Sequence, residues 1–169
     1  MVKEDQDIEQ TIGQMAGALR EKYGTEHIQD VLMIGIHTGG VWVAERLHRL
    51  LNITKPLGKL DISFYRDDFS RIGINPQVKP SSLPNSVDDA TVVLVDDILH
   101  TGRTVRAALN EIFDYGRPAS VSLVVLGERD GRELPVQADI VGKHFQLGSH
   151  EHIKLVGPEP LALEIVEAP

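Results

Sequence analysis

The spacing of apolar residues along the chain predicts an alternation of strands and helices. Apolar residues recur every three or four positions across residues 7–23, 43–51 and 102–115, which is the period of an amphipathic helix. In the last of these segments the predicted buried face consists of Val105, Ala108, Leu109, Ile112 and Phe113. Gly116 and Pro118 are expected to end that helix.

Short apolar runs between the helical segments predict buried β-strands. Residues 31–36, 91–95 and 120–126 are such runs, and residues 60–64 alternate apolar and polar side chains as a strand does. Strand and helix therefore follow one another in the order of a parallel α/β sheet. Because ligands of such sheets bind beyond the carboxyl ends of the strands, the chemistry is expected at those ends.

Two segments lie outside this alternation. Residues 66–90 contain prolines and many polar residues, and a loop of this length in a compact domain is usually either functional or disordered. Short apolar runs from about residue 138 to the C-terminus predict small strands. The whole chain, residues 1–169, is expected to form one domain.

Composition and charge narrow the class of protein. A chain of 169 residues, of which 41% are apolar, fits one globular core. The formal charge of −8 argues against nonspecific attraction to nucleic acid, although a local patch of Arg117, Arg129 and Arg132 stays open. The absence of cysteine excludes disulfides and suits the cytoplasm. No apolar run approaches the roughly 18 residues of a membrane span, and the acidic N-terminus is not typical of a secretory signal.

The segment with the most chemical information joins a predicted strand to a predicted helix. Two carboxylates, Asp96 and Asp97, follow the apolar run 92–95, and a short polar turn at 101–104 opens the helix. Free amides at a helix start, threonine hydroxyls and a glycine that permits close approach can together bind a phosphate monoester. The two acids would repel a phosphate but can accept hydrogen bonds from sugar hydroxyls. The pattern therefore fits a ribose 5-phosphate.

Residues 92–104 resemble the phosphoribosyl pyrophosphate (PRPP) signature of type I phosphoribosyltransferases, and they are most similar to that of the PyrR family. The resemblance implies the type I phosphoribosyltransferase fold, an α/β fold with a central, mainly parallel sheet flanked by helices. It further implies a flexible lid at about residues 66–90 and a small hood from about residue 138 to the C-terminus. It also implies that Asp96 and Asp97 are catalytic and hold the ribose hydroxyls. The residues that it assigns to the 5-phosphate are Thr101, Gly102, Arg103 and Thr104.

Other segments extend the resemblance to the PyrR family. His37-Thr38-Gly39-Gly40 stands where PyrR proteins usually show Lys-Thr-Arg-Gly, which implies that Thr38, Gly39 and Gly40 contact pyrophosphate. Residues 61–68 match a segment containing Tyr-Arg-Asp-Asp, which implies a lid whose Arg66 binds PRPP, faces the leaving pyrophosphate and takes part in catalysis. Residues 128–135 also match and could place Arg129 near pyrophosphate. The base-binding residues implied in the hood are Val141, Gly142 and Lys143.

The reaction implied by the resemblance joins uracil to PRPP and yields UMP and pyrophosphate. Mg²⁺ would be carried mainly by PRPP, without a dedicated protein site. We interpret His150 and His152 as exposed loop residues and Trp42 as a packing residue. A homo-oligomer, a dimer or a higher assembly, is implied as well.

Alternative functions stay open at this point. The chain could be a UMP-responsive regulator that binds the mRNA leader of pyrimidine-biosynthesis genes and has a minor enzymatic role, as the PyrR resemblance allows. It could be a purine-base phosphoribosyltransferase, because the hood that selects the base matches least well. A sugar-phosphate binding protein without activity is a weaker alternative, suggested by Gly39 alone.

Overall fold

The structure is a computed structural model, and it describes residues 2–4, 8–62 and 82–167, the first of these ranges by its backbone only. Arg66 and most of the predicted lid lie outside the described residues. The last part of the segment assigned to the lid is instead attached to the sheet. Ser82 and Lys59 exchange two backbone hydrogen bonds of 2.8 Å, and Val87 is buried in the core.

The helices and strands follow the predicted order. In chain order they are β1 (Val2–Glu4), α1 (Ile8–Tyr23), a 3-10 helix (His27–Asp30), β2 (Leu32–Ile36), α2 (Gly39–Leu50), β3 (Gly58–Leu60), β4 (Thr91–Leu99), α3 (Arg103–Tyr115), β5 (Ser120–Arg129), β6 (Ile140–Phe145), β7 (Glu151–Val156) and β8 (Ala162–Glu167). None of the helices in the described ranges has the length and apolar character needed to cross a bilayer.

The described strands form two sheets. The central sheet has the order β3-β2-β4-β5-β6, and every pair in it is parallel. The second sheet is antiparallel with the order β1-β8-β7. A central parallel sheet with helices on it confirms the predicted fold class.

Helices cover both faces of the central sheet, which explains why its strands are apolar on both sides. Met33, Val93 and Val124 point to the face covered by α1 and α2. Their neighbours in sequence, Leu32, Val92 and Leu123, point to the face covered by α3. This alternation follows from the two-residue period of a strand.

Helix α3 ends as predicted, but its buried face differs from the expected one. Gly116 follows the last helical residue, whereas Phe113 is 55% exposed and Ala107 is buried instead. Successive helical residues point about 100° apart, so the burial of Ile112 turns Phe113 away from the sheet. The sequence spacing could not distinguish residues at the centre of the apolar face of the helix from residues at its edge.

The hood is smaller than predicted. Strand β6 pairs in parallel with β5, and Val125 opposite Val141 and Gly127 opposite Lys143 fix the register. Residues 140–145 therefore belong to the central sheet, because β5 offers them a free edge to extend. The small antiparallel sheet that remains contains β7, β8 and the three-residue strand β1, which was too short to predict from its pattern.

Candidate active site

A cavity of about 490 Å³ lies at the carboxyl ends of β2, β4 and β5. We call its lower wall the floor: the loop 37–40, Asp96, Asp97 and the turn 101–104. We call its upper wall the ceiling: strand β7, of which residues 152–155 line the cavity. The two sheets of the protein thus enclose one space from opposite sides, at the place where parallel sheets bind ligands.

The loop 37–40 lies directly on strand β4 because two glycines allow it. A Cβ atom on Gly39 would lie 2.3 Å from Oδ2 of Asp97, and one on Gly40 would lie 2.7 Å from the carbonyl oxygen of Val95. Real Cβ atoms do not approach other atoms so closely. A side chain at Gly40 would push the loop away from β4, whereas one at Gly39 would displace the Asp97 side chain.

The sequence pattern suggested that the two acids follow the strand. In the structure both lie within β4. Pairing between β2 and β4 stops at Val95, whereas pairing with β5 continues to Leu99. The side chain of Asp96 is buried, and its Oδ1 accepts a hydrogen bond of 2.8 Å from the amide of Asp97. Oδ1 of Asp97 accepts one of 2.7 Å from the amide of Ile98. The backbone therefore holds both carboxylates at the cavity wall.

The turn before α3 has the shape of an anion site. Gly102 takes a left-handed conformation (φ 95°), which a residue with a side chain rarely adopts. The hydroxyl of Thr101 accepts a hydrogen bond from the amide of Arg103 at 3.2 Å, while the Thr101 carbonyl accepts from the amides of residues 133 and 134. The other amides of the first turn of α3 have no partner within the helix. This end of α3 lines the cavity through Thr104 and Val105.

Most of the predicted PRPP residues meet at the cavity. The predicted residues that line it are Thr38, Gly39, Asp96, Asp97, Thr101, Gly102 and Thr104. Gly40 lies behind the loop, against β4. Arg103 is not among the lining residues, and its exposed side chain forms an ion pair of 3.0 Å with Glu133.

The predicted base-binding residues do not line the cavity. Val141, Gly142 and Lys143 lie within β6, and a Cβ on Gly142 would meet the carbonyl oxygen of Leu126 at 2.5 Å. Parallel pairing with β5 draws this segment into the central sheet. Residues of strand β7 line the cavity instead.

Sequence reasoning missed several cavity residues. Trp42 and His100 line the cavity, although Trp42 was interpreted only as a packing residue. His152 was interpreted as a loop residue but belongs to β7, and Lys154 lines the cavity from the same strand. The strand pattern of residues 153–156 was visible in the sequence. That this strand folds back over the end of β4 was not.

Arg129 is a cavity residue at the end of β5. One of its terminal nitrogens donates a hydrogen bond of 2.9 Å to the carbonyl oxygen of Glu151, at the start of β7. Its Nε is buried without a hydrogen-bond partner among the described residues. Arg129 thus joins the floor sheet to the ceiling and brings a positive charge into the cavity.

The three arginines considered for a basic patch do not share one surface. Arg117 precedes β5, whereas Arg129 is its last residue. The ten residues of this extended strand place the two arginines roughly 30 Å apart. Arg129 also lines the cavity, while Arg132 is exposed. The extended strand between them explains why this patch does not form.

The pKa of His100 is lowered from its ordinary value. Partial desolvation is the main cause, and the positive charge of Arg129 is the second. Glu133 acts in the opposite direction, and His152 adds to the lowering. Although the side chain is exposed overall, its ring lies against Gly131, where a Cβ would be 2.8 Å from Nε2. Close packing on one edge of the ring agrees with the desolvation.

The cavity fits a magnesium ion that arrives with a phosphorylated substrate. Within residues 8–62 and 82–167, no group of three or more acidic or histidine side chains is placed to hold a metal. Asp96 and Asp97 supply carboxylates at the cavity wall. Mg²⁺ commonly takes one or two carboxylates and completes its shell with water and substrate phosphate.

Comparison with known proteins identifies the family. The phosphoribosyl transferase domain family matches residues 1–156. The chain is 57% identical to the bifunctional protein PyrR of Nitrosococcus oceani over 161 residues, which cover 94% of this chain and 91% of that protein. The chain belongs to the PyrR family. The family resemblance expected from residues 92–104 is therefore confirmed.

Other PyrR proteins and more distant structures agree with this assignment. The bifunctional protein PyrR of Pseudomonas aeruginosa PAO1 is 57% identical over 150 residues, which cover 89% of this chain and 88% of that protein. A purine phosphoribosyltransferase from Pyrococcus horikoshii aligns with a TM-score of 0.62 at 26% identity, covering 82% of this chain and 83% of that one. The hypoxanthine phosphoribosyltransferase of Trypanosoma cruzi aligns with a TM-score of 0.67 at 22% identity, covering 89% and 80%. The last of these shows the fold alone.

Proposed function

We propose that this PyrR family member is a uracil phosphoribosyltransferase, which converts uracil and PRPP into UMP and pyrophosphate. One observation carries the proposal. In this PyrR family chain, a single cavity is lined by Asp96 and Asp97, whose carboxylates accept backbone hydrogen bonds, and by the turn at the start of α3. That combination provides acceptors for a diol and donors for a phosphate at neighbouring positions.

The ribose 5-phosphate binds at the turn 101–104. First-turn amides of α3 and the hydroxyls of Thr101 and Thr104 donate hydrogen bonds to the phosphate oxygens. Asp96 and Asp97 accept hydrogen bonds from the ribose hydroxyls. Because the backbone already orients both carboxylates, little ordering is needed when the sugar binds.

The pyrophosphate binds at the loop 37–40. The loop lacks the lysine and arginine that PyrR proteins usually carry there, so the positive charge must come from elsewhere. Arg129 and Lys154 line the same cavity and can supply it, and Arg66 of the lid is a further candidate. The Thr38 hydroxyl also lies at the cavity and can donate to a phosphate oxygen.

The base binds under the ceiling. Residues 152–155 line the cavity above the floor, whereas the residues first assigned to the base lie in the central sheet. We therefore assign base contact to β7 in place of Val141, Gly142 and Lys143. Main-chain groups of a strand can pair with the imide of uracil, which offers both donors and acceptors.

In the reaction, a ring nitrogen of uracil bonds to the anomeric carbon while the carbon–oxygen bond to pyrophosphate breaks, and the proton on that nitrogen passes to water. The electron pair of that bond leaves with pyrophosphate, and the sugar carries positive charge in the transition state. The chain holds the two substrates in line and surrounds the leaving group with positive charge. Mg²⁺, when bound to PRPP, further neutralises the pyrophosphate oxygens.

A substrate panel tests this function directly. Purified protein with PRPP and Mg²⁺ is offered uracil, orotate, hypoxanthine, guanine or adenine, and released pyrophosphate is measured. We expect turnover with uracil and little with the purines. Turnover with a purine base in place of uracil would overturn the assignment of the base and favour the activity for which the P. horikoshii protein is named.

A second, regulatory function is favoured by the relatives, whose name calls them bifunctional. The PyrR resemblance implies that UMP in the site would govern binding to a pyrimidine-gene mRNA leader. An electrophoretic shift of that leader, with and without UMP, tests this function. A homo-oligomer and a cytoplasmic location belong to the same proposal, and the cysteine-free sequence suits the reducing compartment.

A further inference from the structure

Arg46 is one of few polar side chains that are buried in the described part of the chain, and it lies outside the cavity. Only 8% of its surface is exposed, and the other buried polar residues in these ranges are Asp96 and Ser122. Burial of a guanidinium is costly unless all of its donors are paired. Its partners therefore indicate what it does.

The partners of Arg46 come from three different parts of the fold. Its Nε donates to Glu9 of α1 at 2.7 Å, and one terminal nitrogen donates to the Trp42 carbonyl of its own helix at 3.2 Å. The other terminal nitrogen donates to the Pro158 carbonyl at 2.8 Å and to the Glu159 carboxylate at 3.0 Å. Residues 158 and 159 form the turn between β7 and β8, so Arg46 fastens that turn to α2.

Trp42 supports the same attachment one helical turn earlier. A Cβ on Gly157 would lie 3.0 Å from Cε3 of Trp42, so the turn packs directly on the indole. The same indole lines the cavity. Residues 42 and 46 thus form one contact stripe on α2, as side chains four apart in a helix do.

The ceiling is therefore held at both of its ends by arginine. Arg129 binds the carbonyl oxygen of Glu151 where β7 begins, and Arg46 binds the turn just after β7 ends. Between these points, the ceiling residues 152–155 pair with β8 of the small sheet. Between these two attachments Leu155 of β7 is buried in the core. Of the two arginines, only Arg129 lines the cavity.

We propose that Arg46 is a positioning residue for the base: by fixing the β7–β8 turn to α2, it sets the height of β7 over the sugar. The proposal rests on the function proposed above. It predicts that Arg46 affects the affinity for uracil and leaves the PRPP site on the floor unaffected.

Removal of Arg46 should leave the protein folded. The carboxylate side chains of Glu9 and Glu159 are 61% and 87% exposed, so water can solvate both when the guanidinium is absent. Arg46→Met keeps a long apolar side chain at this buried position of α2 and removes only the hydrogen-bond donors. Arg46→Lys restores a positive charge with a single donor group.

Steady-state kinetics of these two variants test the proposal, with Glu45→Gln as the matched control. Glu45 neighbours Arg46 on α2 and pairs with Lys59 at 3.8 Å, away from β7. For Arg46→Met we expect the uracil KM to rise about tenfold, the scale of one lost charge-assisted hydrogen bond. The PRPP KM should stay within about twofold, and Arg46→Lys should recover part of the loss.

Hydrogen exchange of the β7 amides gives a readout that needs no turnover. We expect faster exchange at residues 152–155 in Arg46→Met than in wild type or in Glu45→Gln, with substrates absent. Unchanged exchange, an equal rise of both KM values, or a fall in kcat alone would each overturn the proposal. If exchange rises but wild-type protein does not turn over uracil, the attachment stands and the proposed function fails.

Discussion

The floor and the ceiling of the cavity are built in different ways. The floor consists of residues adjacent in sequence to central strands, and its carboxylates bond to neighbouring backbone amides. The ceiling belongs to a small separate sheet and is attached through side chains from distant positions, Arg129 and Arg46. In the proposed function, the floor would bind what all phosphoribosyl transfers share, and the ceiling would select what differs, the base.

This difference indicates that the floor is the rigid wall of the cavity and that the ceiling is the wall that can vary. Short-range backbone contacts hold the floor at little entropic cost, because the chain order already places its groups together. The ceiling depends on long-range contacts that can shift without unfolding the core. Floor substitutions should therefore lower turnover strongly, whereas ceiling substitutions should change base affinity modestly.

Loss of an acid should produce the largest effect. Asp97→Asn keeps the side-chain size and an oxygen that accepts from the Ile98 amide. It removes the negative charge that, in the proposed function, strengthens the hydrogen bonds from the ribose hydroxyls. We expect kcat/KM for PRPP to fall by at least about 100-fold while the circular dichroism spectrum is unchanged. Wild-type kinetics in this variant would refute the assignment of the floor.

A methyl group on the pyrophosphate loop should be almost as damaging. Gly40→Ala places a Cβ 2.7 Å from the carbonyl oxygen of Val95 and 3.0 Å from Cα of Asp96, so the loop must move away from β4. We expect activity to fall about 100-fold, the usual cost of misplacing a reacting group by an ångström. Gly13→Ala in α1 is the matched control, because its added Cβ meets nothing within 4 Å. Equal kinetics for the two variants would argue against the close approach.

Removal of a single floor hydroxyl should have an intermediate effect. Thr101→Val keeps the side-chain shape but removes the hydroxyl that accepts from the Arg103 amide and can donate to phosphate. We expect the PRPP KM to rise about tenfold. Thr54→Val removes a remote hydroxyl, bonded to the Gln29 carbonyl at 3.0 Å, and should leave the PRPP KM unchanged.

The same methyl addition in the ceiling should be tolerated better. A Cβ on Gly157 meets Cδ2 of Leu161 at 2.6 Å and the indole of Trp42 at 3.0 Å. The leucine end can rotate away, so Gly157→Ala should raise the uracil KM about threefold with little change for PRPP. An effect as large as that of Gly40→Ala would remove the distinction between floor and ceiling.

The smallest effect concerns acidic pH and His100. Because the folded pKa of this imidazole is lowered, the unfolded chain binds its proton first as the pH falls. Stability should therefore decrease as the pH drops from the ordinary histidine pKa through the lower folded value. His100→Gln should weaken this decrease in a series of thermal midpoints, and NMR titration should place the His100 pKa below the ordinary histidine value. A raised His100 pKa would contradict the proposed environment.

The floor could be predicted from the sequence to a large extent. Asp96, Asp97, Thr101 and Thr104 are neighbours along the chain, so a strand followed by a helix brings them together whatever the rest of the fold does. The ceiling could not be predicted in this way. Residues 140–145 and 151–156 both read as short strands, and nothing local decides which one extends the central sheet and which one crosses the cavity.

The sequence by itself determined the order of strands and helices, the position of the turn at 101–104 and the family. These depend on periodicity, on chain neighbours and on one glycine that tolerates a positive φ, all of which are local properties. Only the tertiary structure decided that β6 joins the central sheet, that β7 lines the cavity and that Arg46 contacts the turn after it. Those features arise from contacts between residues about 20 to more than 100 positions apart, because packing and pairing at long range have no signature in a local pattern.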